Sequence, residues 1–127
     1  MVRLRHRAPL VLAAAFATSG IVHLVRPQVF ASIMPRAIPD EHHTNLIYAS
    51  GLVELVCAAG LLRRTRWAGA ASVATLVAVF PANVQMALDA GTGRNAGPSD
   101  NRAIAWGRLP LQLLMVWAAL QARPGRR

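Results

Sequence analysis

The sequence predicts an all-α membrane protein: a bundle of four transmembrane helices with both termini cytoplasmic and a short interfacial helix in the first outer loop. Three observations carry this expectation. Apolar residues make up 54% of the chain and charged ones 15%, with a mean hydropathy of +0.36, which is too apolar for a soluble domain of 127 residues. The charge-free runs have membrane-spanning length, because a helix rises ~1.5 Å per residue and about 20 residues cross the hydrocarbon. The basic residues, all 14 of them arginines, gather in short clusters between those runs. The formal charge of +9 therefore reads as a mark of topology and not of nucleic-acid binding, since no groove-reading element accompanies it.

The chain reads as a single domain, residues 1–127, with spans at 8–25, 44–62, 67–88 and 104–122. Arg3, Arg5 and Arg7 precede the first span. Ala15-Phe16-Ala17 has the small-x-small form of a signal cleavage site, yet the apolar run continues through Ile21 and Val22 and further spans follow. The first span is therefore expected to be retained as a helix. In the connection that follows, Pro27, Pro35 and Pro39 alternate with Val29, Phe30, Ile33 and Met34, whose spacing gives one apolar helical face. That segment is expected to lie in the interface plane.

The second span is expected to start at an N-cap of Thr44 or Asn45, and it carries one charge, Glu54. A compact turn with Arg63, Arg64 and Arg66 leads to the third span. There Ala71, Ala74, Ala78 and Ala82 recur at three- and four-residue spacing and offer a small-residue face for a neighbouring helix. Pro81 is expected to kink this span and to free a backbone carbonyl near Val77. Residues 89–107, with Gly91, Gly93, Gly97 and Pro98, read as an exposed loop, and the fourth span follows with Arg108 inside it. The N-terminal segment, the second loop and the C-terminal tail hold nine arginines against five in the other two loops, which places both termini inside. Trp67 and Trp106 fall at span ends, as interface anchors do.

A carboxylate near mid-membrane costs roughly 2.5–3.5 kcal/mol on insertion scales, so Glu54 should face protein or water and have company. Ser50 is one turn above it on the same face. His23, Asn83, Arg108 and Gln112 all fall in the outer half of their spans, and these six residues form the expected buried network, with Arg108 or His23 reaching Glu54. The same residues serve either a proton, quinone or small-molecule pocket, or a structural register between helices. Cys57 is the only cysteine, which excludes an internal disulfide, a CxxC pair and a cysteine-based zinc site, and it reads as a small buried side chain. His42-His43 beside Asp40 and Glu41 is a poor metal motif, because adjacent side chains point apart, and no metal is expected.

Five stretches together resemble the DoxX-like family of small four-helix membrane proteins. They are Gly20-Ile21-Val22-His23 with Arg26-Pro27 and Phe30; Pro35 and Pro39; Ser50-Gly51-x-x-Glu54; Phe80-Pro81-Ala82-Asn83-x-x-Met86; and Arg108-Leu109-Pro110-Leu111-Gln112, spanning Ala14 to Trp117. The resemblance implies a four-helix protein of the bacterial cytoplasmic membrane, with family motif residues mapping onto His23, Glu54, Asn83, Arg108 and Gln112. The family takes its name from a membrane subunit of a thiosulfate:quinone oxidoreductase, and its relatives include members of oxidative-stress complexes and membrane chaperones. Nothing in this chain resembles a soluble catalytic domain or a haem-ligand set. Redox chemistry would need a partner subunit or a bound quinone, and a homo-oligomer is a further possibility. The competing expectation is a non-enzymatic scaffold or assembly factor; a transporter is disfavoured because two related halves are absent.

Overall fold

The structure, a computed structural model, describes residues 1–95 and 97–122. It has helices α1 (Val2–Val25), α2 (Gln28–Ala31), α3 (His43–Leu62), α4 (Ala68–Asp89) and α5 (Arg102–Leu120), with 3₁₀ turns at Asp40–His42 and Gly97–Asp100. Four helices among the described residues are long and apolar enough to cross a membrane, and they match the four expected spans. α1 packs mainly along α3 and α4 along α5, while α3–α4 and α1–α5 contacts close the ring. Only 22–39% of each span is buried inside the protein. The outside is apolar too: Leu10, Val11, Leu52, Val56, Val77, Leu113 and Leu120 all face outward. A helix apolar all round belongs in a membrane.

Two apolar clusters hold the bundle. One joins Leu12, Ala13, Phe16, Cys57, Ala58, Leu61, Ala68, Leu76 and Ala119 toward the start of α1; the other joins Ile33, Met86, Ala87, Ala90 and Ala105 at the opposite end. Cys57 is buried as expected, its Sγ 3.6 Å from Thr75 Oγ1. α1 and α3 cross backbone to backbone. A Cβ on Gly20 would lie 2.8 Å from the Gly51 carbonyl oxygen, and one on Gly51 would lie 2.6 Å from His23 Cβ. Only glycine permits this approach.

Several expectations need correction. α1 begins at Val2, not residue 8, because arginine is a good helix former and Arg3, Arg5 and Arg7 extend the helix with their side chains exposed. The helix expected in the first connection is present as a single turn, Gln28–Ala31. Its apolar neighbours are spent on the protein: Ile33 is buried against the Met86 cluster and Phe30 stacks on His23. Neither Thr44 nor Asn45 caps α3, since the 3₁₀ turn feeds the chain into the helix at His43, whose Nε2 meets the Ile38 carbonyl at 2.8 Å.

Only the ends of the alanine face of α4 turn inward: Ala71 packs against the first cluster and Ala82 lines an internal cavity, whereas Ala74 and Ala78 are exposed and the polar Ser72 and Thr75 take the inside between them. α5 starts two residues early, where the Asn101 side chain accepts from the N–H groups of Ala103 and Ile104. The loop before it is tied down. Asp89 is buried and accepts from Arg36 at 2.5 Å and Gln85 at 2.9 Å, while Asn95 donates to the carbonyls of Met86 and Ser99. Residues 123–127, the basic tail, lie outside the described residues.

α3 ends in a Schellman motif. The Thr65 N–H donates to the Gly60 carbonyl and the Arg64 N–H to that of Leu61, which puts Arg64 in the left-handed region at φ 56°. Glycine is the usual residue at that position.

Candidate functional site

His23, Ser50, Glu54, Asn83, Arg108 and Gln112 all line one cavity of about 310 Å³ lying between the helices. Phe30, Ile33 and Met34 contribute to its wall, so the connection between α1 and α3 folds over it. Within the cavity the six residues form two groups of different character.

The first group is the pair His23 and Glu54, both more than nine-tenths buried. Helical side chains lean toward the N-terminus of their own helix. On antiparallel α1 and α3 this tilts His23 back toward Ser19 and Glu54 back toward Ser50, so the two reach the level of the Gly20–Gly51 crossing from opposite directions. There His23 Nδ1 comes within 3.6 Å of Glu54 Oε2. The same Nδ1 lies 2.7 Å from the Ser19 carbonyl oxygen. A carbonyl can only accept, so Nδ1 carries the hydrogen and donates it there. The Phe30 ring lies flat on the imidazole, with centroids 3.7 Å apart and planes 9° from parallel. Glu54 Oε2 is left buried with no hydrogen-bond partner among the described residues, which is costly unless a ligand, water or proton meets it.

The second group is a closed amide bridge. Asn83 donates to the Gln112 carbonyl oxygen, and Gln112 donates through Nε2 to the backbone carbonyl of Leu76. Pro81 has no N–H to offer the Val77 carbonyl, and the carbonyl that Gln112 serves is the one before it, at Leu76. Arg108 does not reach Glu54. Its Nη1 stops 3.3 Å from Met86 Sδ, near the mouth of the bundle. Ser50 lines the cavity half-buried.

A family model described as a domain of unknown function (DUF8561) matches residues 12–123. The chain belongs to this family. All six cavity residues fall within the DUF8561 span, as do Ser19 and Phe30. No curated protein and no solved structure matches the chain.

Ser19 and Phe30 are cavity residues that sequence reasoning missed. Ser19 had a signal, lying one turn before His23 on the same helix face. Phe30 sits in a connection whose return path no periodicity reveals. Asp89 was missed as well, because it read as the first residue of a loop. Among the described residues no cluster of three or more histidine, cysteine, aspartate or glutamate side chains is placed to hold a metal. His42 and His43 are engaged separately, with Glu41 at 3.6 Å and Asp40 at 3.7 Å respectively.

Proposed function

We propose that this protein is a multi-pass subunit of the bacterial cytoplasmic membrane whose cavity takes the polar head of a lipophilic redox carrier, a quinone, in support of a redox partner protein. The observation that carries the reading is the unsatisfied Glu54 oxygen beside the His23 imidazole in a membrane-embedded cavity. A quinone carbonyl accepts hydrogen bonds, and its reduction takes up protons with the electrons; a buried carboxyl next to an imidazole can hold and deliver those protons. Electrons would come from the partner, because the sequence offers neither a cysteine pair nor a recognisable haem-ligand set. The likeness to the DoxX-like family points to the same role. Both termini are placed in the cytoplasm, with the Gln28–Ala31 turn at the outer surface. This follows from the arginine distribution, and the end of the bundle bearing Arg3, Arg5, Arg7, Arg63, Arg64 and Arg66 carries no acidic residue.

A short-chain quinone such as menadione, titrated into the purified full chain in detergent, is expected to bind saturably. Glu54→Gln should weaken binding by at least about tenfold, the loss of one charged hydrogen-bonding group, with helix content unchanged. Equal affinity in a folded Glu54→Gln protein would overturn the reading, as would the absence of saturable binding.

The alternative, a non-enzymatic scaffold or assembly factor, draws on the amide bridge, in which Asn83, Gln112 and the Leu76 carbonyl satisfy one another without a ligand. On that reading Glu54→Gln lowers protein abundance or breaks a membrane complex and leaves quinone binding untouched.

A further inference from the structure

A second cavity, of about 320 Å³, opens at the opposite end of the bundle, where the start of α1, the α3–α4 turn and the end of α5 meet. Arg5, His6, Arg64 and Gln121 supply its polar wall; Leu10 and Leu62 are part of its apolar wall. All five aspartate and glutamate side chains lie elsewhere, at Asp40, Glu41, Glu54, Asp89 and Asp100, and no ion pair among the described residues involves Arg5 or Arg64. Arg5 and Arg64 thus line a concave site with no acidic side chain beside them among the described residues. Arg64 is held there by the Schellman turn that ends α3, in a left-handed backbone conformation that favours glycine.

We propose that this cavity is a binding site for the phosphodiester headgroup of an anionic phospholipid. Guanidinium forks match phosphate oxygens two at a time, which gives Arg5 and Arg64 the donors for a single phosphate, with His6 and Gln121 beside them. The volume is at the lower end of ligand pockets, the size for a headgroup and not for a whole lipid. The acyl chains leave over Leu10 and Leu62, which line the cavity and are also 48% and 60% exposed on the outer surface of the bundle. This amphipathic wall favours a lipid over a free anion. The site is separate from the cavity around Glu54 and rests only on the membrane-spanning character of the helices.

The test is native mass spectrometry of the full chain, released from detergent after mixing with equimolar phosphatidylglycerol and phosphatidylcholine. The single-lipid adduct should favour phosphatidylglycerol by at least about tenfold, the scale of one good charged hydrogen bond. Arg5→Gln with Arg64→Gly should bring the ratio to near one. Arg3→Gln with Arg7→Gln, which removes as much charge outside the cavity, should leave it unchanged. Arg64→Gly alone, at a position whose backbone suits glycine, should lower the ratio several-fold and guards against a misfolded double variant. Equal adducts in the wild-type protein, an equal loss in both double variants, or no effect of Arg64→Gly would overturn the proposal. So would suppression of the phosphatidylglycerol adduct by millimolar inorganic phosphate, which would make the ligand a free anion.

Discussion

Replacing Gly20 with alanine puts a methyl carbon 2.8 Å from the Gly51 carbonyl oxygen and 2.8 Å from Leu55 Cγ. Leu55 can rotate away; the carbonyl cannot, because it belongs to the backbone of α3. Ordinary contact, at about 3.5 Å, requires the two helices to separate by roughly 0.7 Å, and that separation loosens the packing on both sides of the crossing. Overpacking of this kind costs about 1–3 kcal/mol. Gly107 in α5 is the matching control, since a Cβ there meets nothing within 4 Å. Gly107→Ala should therefore stabilise by up to about 1 kcal/mol, the helix-propensity difference. The two changes are chemically identical and should differ in sign. Reversible unfolding of each variant in mixed micelles, followed by helical circular dichroism, measures both. A Gly20→Ala protein as stable as the wild type, or more so, would refute the backbone contact as the basis of α1–α3 packing.

Gln112→Ala should lower stability by about 1–3 kcal/mol in the same assay, because it takes the amide away from Asn83 and from the Leu76 carbonyl in a buried setting; an unchanged midpoint would show that water replaces the amide fully. Arg64→Gly should raise stability by up to about 1 kcal/mol as it relieves the left-handed conformation, so the variant expected to lose lipid preference is also expected to be the firmer protein. A destabilised Arg64→Gly would mean that the arginine side chain contributes more to the fold than its backbone costs.

The number and order of the spans were legible because run length and the placement of arginine answer to the membrane alone. Most of the polar residues that share the cavity were legible as well, Ser19 excepted: the cost of burying Glu54 demands company, and the ends of the other spans nearest the α1–α3 connection hold the candidates. The partnerships within the cavity were not legible. Arg108 looked as able to reach Glu54 as His23, and the choice between them depends on two helices running antiparallel and touching through Gly20 and Gly51. The alanine spacing on α4 misled in its middle, at Ala74 and Ala78, because a small-residue stripe says that close approach is possible, whereas Ser72, Thr75 and Asn83 must turn inward to avoid hydrocarbon. In a membrane the polar residues set the rotation of a helix, and Ala74 and Ala78 followed them to the outside.

The composition of the interior decides how this protein can change. Alanine is the commonest buried apolar residue among those described, at nine of seventeen positions, whereas leucine and valine crowd the outer surface. A soluble domain has the reverse arrangement and fails when a large core side chain is cut down. Here lipid chains can fill the space left by a trimmed outer leucine, but no such slack exists where Ala13, Ala105 or Ala119 faces another helix. Drift in this sequence is therefore freest toward smaller residues outside and most restricted against larger ones inside. A record of its tolerated substitutions would read as a soluble protein's turned inside out.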